Sequence, residues 1–325
     1  MLRFAKLSDN IMIIMIKKVK HGGNYMKRYS IPRHIWRAVY PILIFLGLAT
    51  VISLVAGVAN EVSIALDPVN AGQPLDEAMI AQRAETFIVE NALLFQLISN
   101  AICILIFALM WRKIRTSLPA YEGNNLSVKV IALTTFLFVG INLLMQAVFT
   151  LIDVMKYFPS YEGVVDALSG GNFIIRFLTI GITAPLVEEI LCRGILFNRL
   201  NTWMPTKAAV IVSSALFGIM HLNPLQSMYG FLVGVAFCVI YVRFRNLWIP
   251  IIAHVAFNMA STLLMELANT SEALEAAAAE AVEMADVTPV LAVGLIITIV
   301  CAFFIKRTKA ATLAPLPEIT EEIEA

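Results

Sequence analysis

Charge is what this chain has least of. Of its 325 residues only 14% are Asp, Glu, Lys or Arg, 59% are apolar, and the mean hydropathy is +0.81. A soluble domain of this length would carry more charge, so the balance points to a polytopic membrane protein. The net charge of +1 offers no basic excess, and no nucleic-acid partner is expected. Cysteine is scarce too: Cys103, Cys192, Cys238 and Cys301 stand singly in apolar segments. No C-x-x-C or secretory framework is present, so they read as small buried hydrophobes. Cys192 has only Arg193 as a basic flank, which argues against a catalytic thiol. There is no His-Glu-x-x-His zinc motif, no pair of aspartates within the apolar runs, and no internal repeat. The ten-residue alternation of a transmembrane barrel is also missing. Helix is the class that remains.

Apolar runs occupy about 38–59, 92–111, 130–152, 173–200, 207–222, 227–242, 247–265 and 289–305. A crossing helix needs about 20 residues. The expected fold is therefore all-α, a polytopic bundle of about eight transmembrane helices. Lys and Arg alternate with acids from loop to loop. Lys27, Arg28, Arg33 and Arg37 precede the first run, Arg112, Lys113 and Arg115 follow the second, and Arg243 and Arg245 follow the sixth. Lys306, Arg307 and Lys309 follow the eighth, whereas residues 266–288 hold six acids and no Lys or Arg. The positive-inside rule then puts both termini in the cytosol.

Five regions follow from this pattern. Residues 1–37 are a polar, basic N-terminal segment in which Met26 reads as a start, making 1–25 a start-site extension. Residues 38–129 carry the first two helices and their loops. Residues 130–265 form the core. Residues 266–309 comprise an acidic outer loop, with a surface helix over 272–285, and the last transmembrane helix. Residues 310–325 are a disordered cytosolic tail.

Three polar clusters interrupt the core runs: Glu188-Glu189-x-x-x-Arg193, Phe217-x-x-x-His221 and His254-x-x-x-Asn258. Ionisable groups at membrane depth are costly, and mark functional sites by default. Adjacent helical residues point about 100° apart, so Glu188 and Glu189 are not expected to face one spot. Glu189 and Arg193 share a face and can pair, which leaves Glu188 for a cavity. A carboxylate in apolar surroundings suits general base or acid work. Pro185, one turn earlier, can kink the helix and free a carbonyl. His254 and Asn258 project from one face, and their N–H groups are the donors an oxyanion needs. The bland readings are snorkelling charges at a helix end for the first cluster, packing for Phe217, an interface histidine for His221, and interhelical glue for the third cluster. A depth count at about 1.5 Å per residue puts Glu188 and His254 level, but His221 about 10 Å too far outward.

Taken in order on successive helices, the three clusters closely resemble the CAAX-protease and bacteriocin-processing (CPBP, or Abi) family of intramembrane proteases, over about residues 130–265. The resemblance implies an intramembrane endopeptidase. Glu188, helped by His221, would activate water, while His254 and Asn258 would hold the oxyanion. Glu189 and Arg193 would fix the helix and orient the substrate. The family is described both as metalloproteases and as glutamate proteases. Glu188, His221 and His254 could ligate zinc with an open fourth position, and the same set works without metal, which is the version favoured here. The implied partners are a hydrophobic peptide or membrane-protein substrate and the lipid bilayer. The implied setting is a bacterial plasma membrane, in peptide processing or bacteriocin self-immunity. The competing class is a non-catalytic scaffold or immunity protein that binds a partner through the same polar cavity. A proton or ion transporter is the weaker third, with no inverted repeat to support it.

Overall fold

The computed structural model describes residues 30–65, 77–119, 121–122, 126–169, 172–277 and 287–313. The proposed start at Met26, the extension 1–25 and the tail from 314 onward lie outside them. The membrane-length helices are α1 (Ile31–Ala65), α3 (Ala92–Arg115), α4 (Val128–Leu151), α7 (Pro224–Phe244), α8 (Trp248–Ala277) and α9 (Thr288–Lys306). Each of these six is long and apolar enough to cross a bilayer. Helix α2 (Glu77–Glu90) packs back on α1.

The fourth and fifth apolar runs depart from simple spans. The fourth, α5, runs from Phe173 to Leu200 but alternates α and π winding, with π stretches at Phe177–Thr183 and Ile190–Phe197. The fifth, α6 (Thr206–Ile219), has 14 residues, about 21 Å at 1.5 Å each, short of the roughly 30 Å hydrocarbon core. The expected surface helix at 272–285 is not separate where it is described: α8 continues to Ala277, and 278–286 lie outside the described residues. Part of the expected disordered tail is ordered. Thr312–Leu313 forms a two-residue antiparallel ladder with Tyr121–Glu122.

That ladder bears on topology, because it joins the segment after α3 to the segment after α9. Arg243, at the end of α7, donates to the carbonyl of Ile305 at 3.0 Å, and Ala311 N–H donates back to Arg243 O at 2.9 Å. Arg199, at the end of α5, donates to Tyr40 Oη at 2.8 Å near the start of α1. The basic ends therefore gather on one side. On the other side Arg176 pairs with Glu266, and Asn223 donates to Ser160 O at 3.2 Å.

Helix α5 is the centre of the bundle. Every residue from Ile190 to Phe197 is buried, Arg193 included. Leu191, Ile195 and Phe197 pack in one core with Phe107 of α3, Ala209 of α6 and Cys238 of α7. A second core joins Phe138 of α4 to Phe237 of α7 and Ile249 and Phe257 of α8. All four cysteines are buried and free.

Small residues set the tightest crossing. A Cβ on Gly218 of α6 would lie 2.4 Å from Ser227 O and 3.0 Å from Phe231 N of α7. Both are backbone atoms and cannot swing away. Gly218→Ala is expected to destabilise the fold by about 1–3 kcal/mol, read as a lower unfolding midpoint in detergent. A wild-type midpoint would show that the α6–α7 hairpin can open at no cost.

Candidate active site

Contacts rather than depth tie His221 to the other clusters, because the Phe217 ring meets both His221 and His254. Helix α6 ends at Ile219, His221 stands in the turn that follows, and Asn223 caps α7 by accepting from Leu225 N–H and Gln226 N–H. Leu222 takes a left-handed φ of 56° to make the turn. The hairpin tip is therefore also the start of α7, which is itself long enough to cross. Non-helical backbone at membrane depth is tolerated where protein covers it or a cavity takes it in, and Ser160 of the loop after α4 meets Asn223 at this tip.

Around His254 the three clusters meet. His254 Nδ1–H donates to Glu189 Oε1 at 2.9 Å. Its Nε2 lies 3.7 Å from Glu188 Oε2. The two adjacent glutamates therefore reach the two nitrogens of one imidazole, against the expectation that they face apart. Their Cα–Cβ vectors do diverge, but each carboxylate sits on a flexible two-carbon stem, and the α8 ring fits between them. Glu189 Oε1 also accepts from Arg193 Nη1 at 2.7 Å, the pairing expected from the four-residue spacing. Glu189 is fully buried, Arg193 and His254 nearly so, and Glu188 keeps 14% of its side chain exposed.

Arg193 is held on every side. Its Nη2 donates to Gly234 O at 2.8 Å. Its guanidinium carbon lies 4.8 Å from the Phe217 ring centroid and 5.4 Å from that of Phe237, within cation–π range. The Phe217 ring also meets His221 edge-on at 5.0 Å and His254 at 5.9 Å. Phe217 is thus the aromatic wall that links the first and third clusters to the second. Packing and site architecture are the same contact here.

His221 joins the group through Phe217 alone. Its Nδ1–H donates to Phe217 O at 2.9 Å, so Nε2 is the acceptor, and among the described residues neither nitrogen pairs with a carboxylate. Asn258 keeps partial exposure, and its Nδ2 donates to Ile180 O at 2.9 Å. Among the described residues no three His, Cys, Asp or Glu side chains converge as a metal-holding set. Glu189 on Nδ1 leaves His254 Nε2 as the nitrogen that could ligate a metal, but the Phe217 ring stands against both His221 and His254, and His221 does not converge with Glu188 and His254 here.

Residues 170–260 match the family model described as type II CAAX prenyl endopeptidase Rce1-like. Among curated proteins, the "Putative membrane peptidase YdiL" of Bacillus subtilis (strain 168) is 23% identical over 210 residues, which is 63% of this chain and 80% of the relative. Over residues 170–260 the chain is similar to the CAAX-protease-like endopeptidases. The matched model and the relative both point to a CAAX-protease-like membrane peptidase. No solved structure matches the chain. The matched span holds all three clusters, from Glu188 to Asn258.

The site also uses residues that no motif flagged. Phe237 stacks on the His254 ring at 4.4 Å and on Phe138 at 3.9 Å, fixing the imidazole plane. Asn198 donates from Nδ2 to Arg193 O at 2.6 Å and Gly194 O at 2.9 Å, which satisfies carbonyls in the second π stretch. Tyr229 of α7, at 5.7 Å from Phe149, and Tyr161 form an aromatic cluster on the acidic-loop side. Burial pushes the Tyr161 phenol above its ordinary range, and its hydrogen bond with Tyr229 opposes that rise. Aromatics in apolar helices look alike in sequence, and none of these pairs has a local spacing that could have revealed it.

Proposed function

We propose that this protein is an intramembrane endopeptidase in which Glu188 activates water for attack on a peptide carbonyl. The observation that carries the reading is the clamp on His254, which is aimed by Glu189 from one side and faces Glu188 from the other. Buried carboxylate–imidazole–carboxylate lines are costly to build, and a proton that can shift along one is what acid–base chemistry needs. Water between Glu188 and the scissile carbon gives a proton to Glu188 as its oxygen bonds to carbon. The carbonyl oxygen becomes an oxyanion. The C–N bond then breaks, and Glu188 returns the proton to the leaving nitrogen. With Nδ1–H spent on Glu189, His254 can meet the oxyanion only through a proton on Nε2, on the 3.7 Å line to Glu188. That spacing exceeds a direct hydrogen bond and suits a bridging water. Asn258 adds a neutral donor, and His221, with Nε2 as its acceptor, helps orient the attacking water.

The proposed substrates are hydrophobic peptides or membrane proteins, in peptide processing or bacteriocin self-immunity. The proposed place is a bacterial plasma membrane with the basic ends in the cytosol. The test is cleavage of a hydrophobic peptide library by the purified protein in detergent, comparing wild type with His254→Ala, with and without chelator. Cleavage that His254→Ala abolishes supports the reading. Unchanged cleavage in that variant would sink the site. Loss on chelation would replace the water–carboxylate mechanism with a metal one.

A further inference from the structure

We propose that Pro185 positions Asn258, acting through the main-chain carbonyl of Ile180. The kinetic part of this inference rests on the peptidase reading, and the structural part does not. In the first π stretch of α5, Ala184 N–H donates to Thr179 O, a five-residue step. In that register the next carbonyl, Ile180 O, would take the N–H of residue 185. Residue 185 is proline and has none. An unsatisfied carbonyl in an apolar bundle is costly, and in membranes neighbouring side chains are recruited to such groups. Asn258 Nδ2, from α8, donates to Ile180 O at 2.9 Å.

The consequence reaches the chemistry because Asn258 stands one turn from His254 on the same face. A side-chain amide has two N–H bonds on one nitrogen. Ile180 O takes one, which fixes the amide plane and directs the other. Asn258 also accepts at its main-chain carbonyl from Thr262 Oγ1 at 2.9 Å. Pro185 is therefore a positioning residue: its missing donor creates the anchor that aims the oxyanion donor.

The experiment is a double-mutant cycle on the full chain in detergent. Asn258→Ala in the Pro185 protein is expected to lower the unfolding midpoint by several degrees, since it orphans the carbonyl. In the Pro185→Ala background, where residue 185 supplies an N–H, the same replacement is expected to cost less than half of that shift. Additive midpoints would overturn the proposal. In cleavage assays Pro185→Ala alone is expected to lower kcat by up to about 100-fold, the scale of a misplaced group, with KM unchanged. An unchanged kcat would overturn the positioning role. If no form cleaves any peptide, the peptidase reading fails, and the midpoints still decide the Pro185–Asn258 coupling. Pro185→Ser restores the N–H independently and takes the place of Pro185→Ala if that variant does not fold.

Discussion

Glu188→Gln is expected to reduce peptide cleavage by about 10²–10⁴-fold, the usual contribution of a positioned acid–base group, while leaving the fold intact. The two glutamates separate cleanly on this point. Glu189 is buried and bonded to both Arg193 and His254. Glu188 keeps part of its surface and faces His254 at 3.7 Å. Glutamine preserves the shape of Glu188 and removes its ability to take a proton from water. The unfolding midpoint of Glu188→Gln should therefore match that of wild type, and KM should change little. A large loss of stability would mean that Glu188 belongs to the scaffold. The check is kcat, KM and midpoint measured on the same preparation.

Arg193→Met is expected to cost about 3–5 kcal/mol of stability, the cost of breaking a buried ion pair by removing one partner. Three losses coincide. Glu189 keeps its buried charge with only His254 to offset it. Gly234 O loses the donor at 2.8 Å. The Phe217 and Phe237 rings lose the cation between them. Methionine fills much of the same volume, so the cost is electrostatic rather than a cavity. Arg193→Lys should not rescue it, because one ammonium cannot reach the carboxylate and the carbonyl from the planar fork that arginine offers. The measurement is denaturant or thermal unfolding of the three proteins in one detergent. Equal midpoints would show that Glu189 is held neutral without its partner.

The parts of this fold that were legible in the sequence are the local ones. Apolar run length located the membrane-length helices, since the bilayer fixes how many residues cross, but not α2, which lies in a polar stretch. The Glu189–Arg193 pair followed from a four-residue spacing, and the carbonyl freed by Pro185 followed from the missing N–H. Helix rotation was not legible. Nothing in the spacing of His254 says that its ring lands between Glu188 and Glu189, or that Phe237 lies flat on it. The first π stretch of α5 was hidden as well, because the amide that takes Ile180 O comes from distant Asn258. The same distance effect hid the polar strip between α3 and α5, where Gln96 donates to Asn100 and Asn100 to Thr183. The depth count placed His221 about 10 Å outward of His254, and it could not show that the Phe217 ring would meet both.

The most direct test of the central claim is cleavage of a hydrophobic peptide in ¹⁸O-water, read by mass spectrometry, with wild type and Glu188→Gln side by side. The account predicts one ¹⁸O in the new product carboxylate with wild type, and no product above background with Glu188→Gln. Cleavage by Glu188→Gln at the wild-type rate would contradict it and move the chemistry away from this carboxylate.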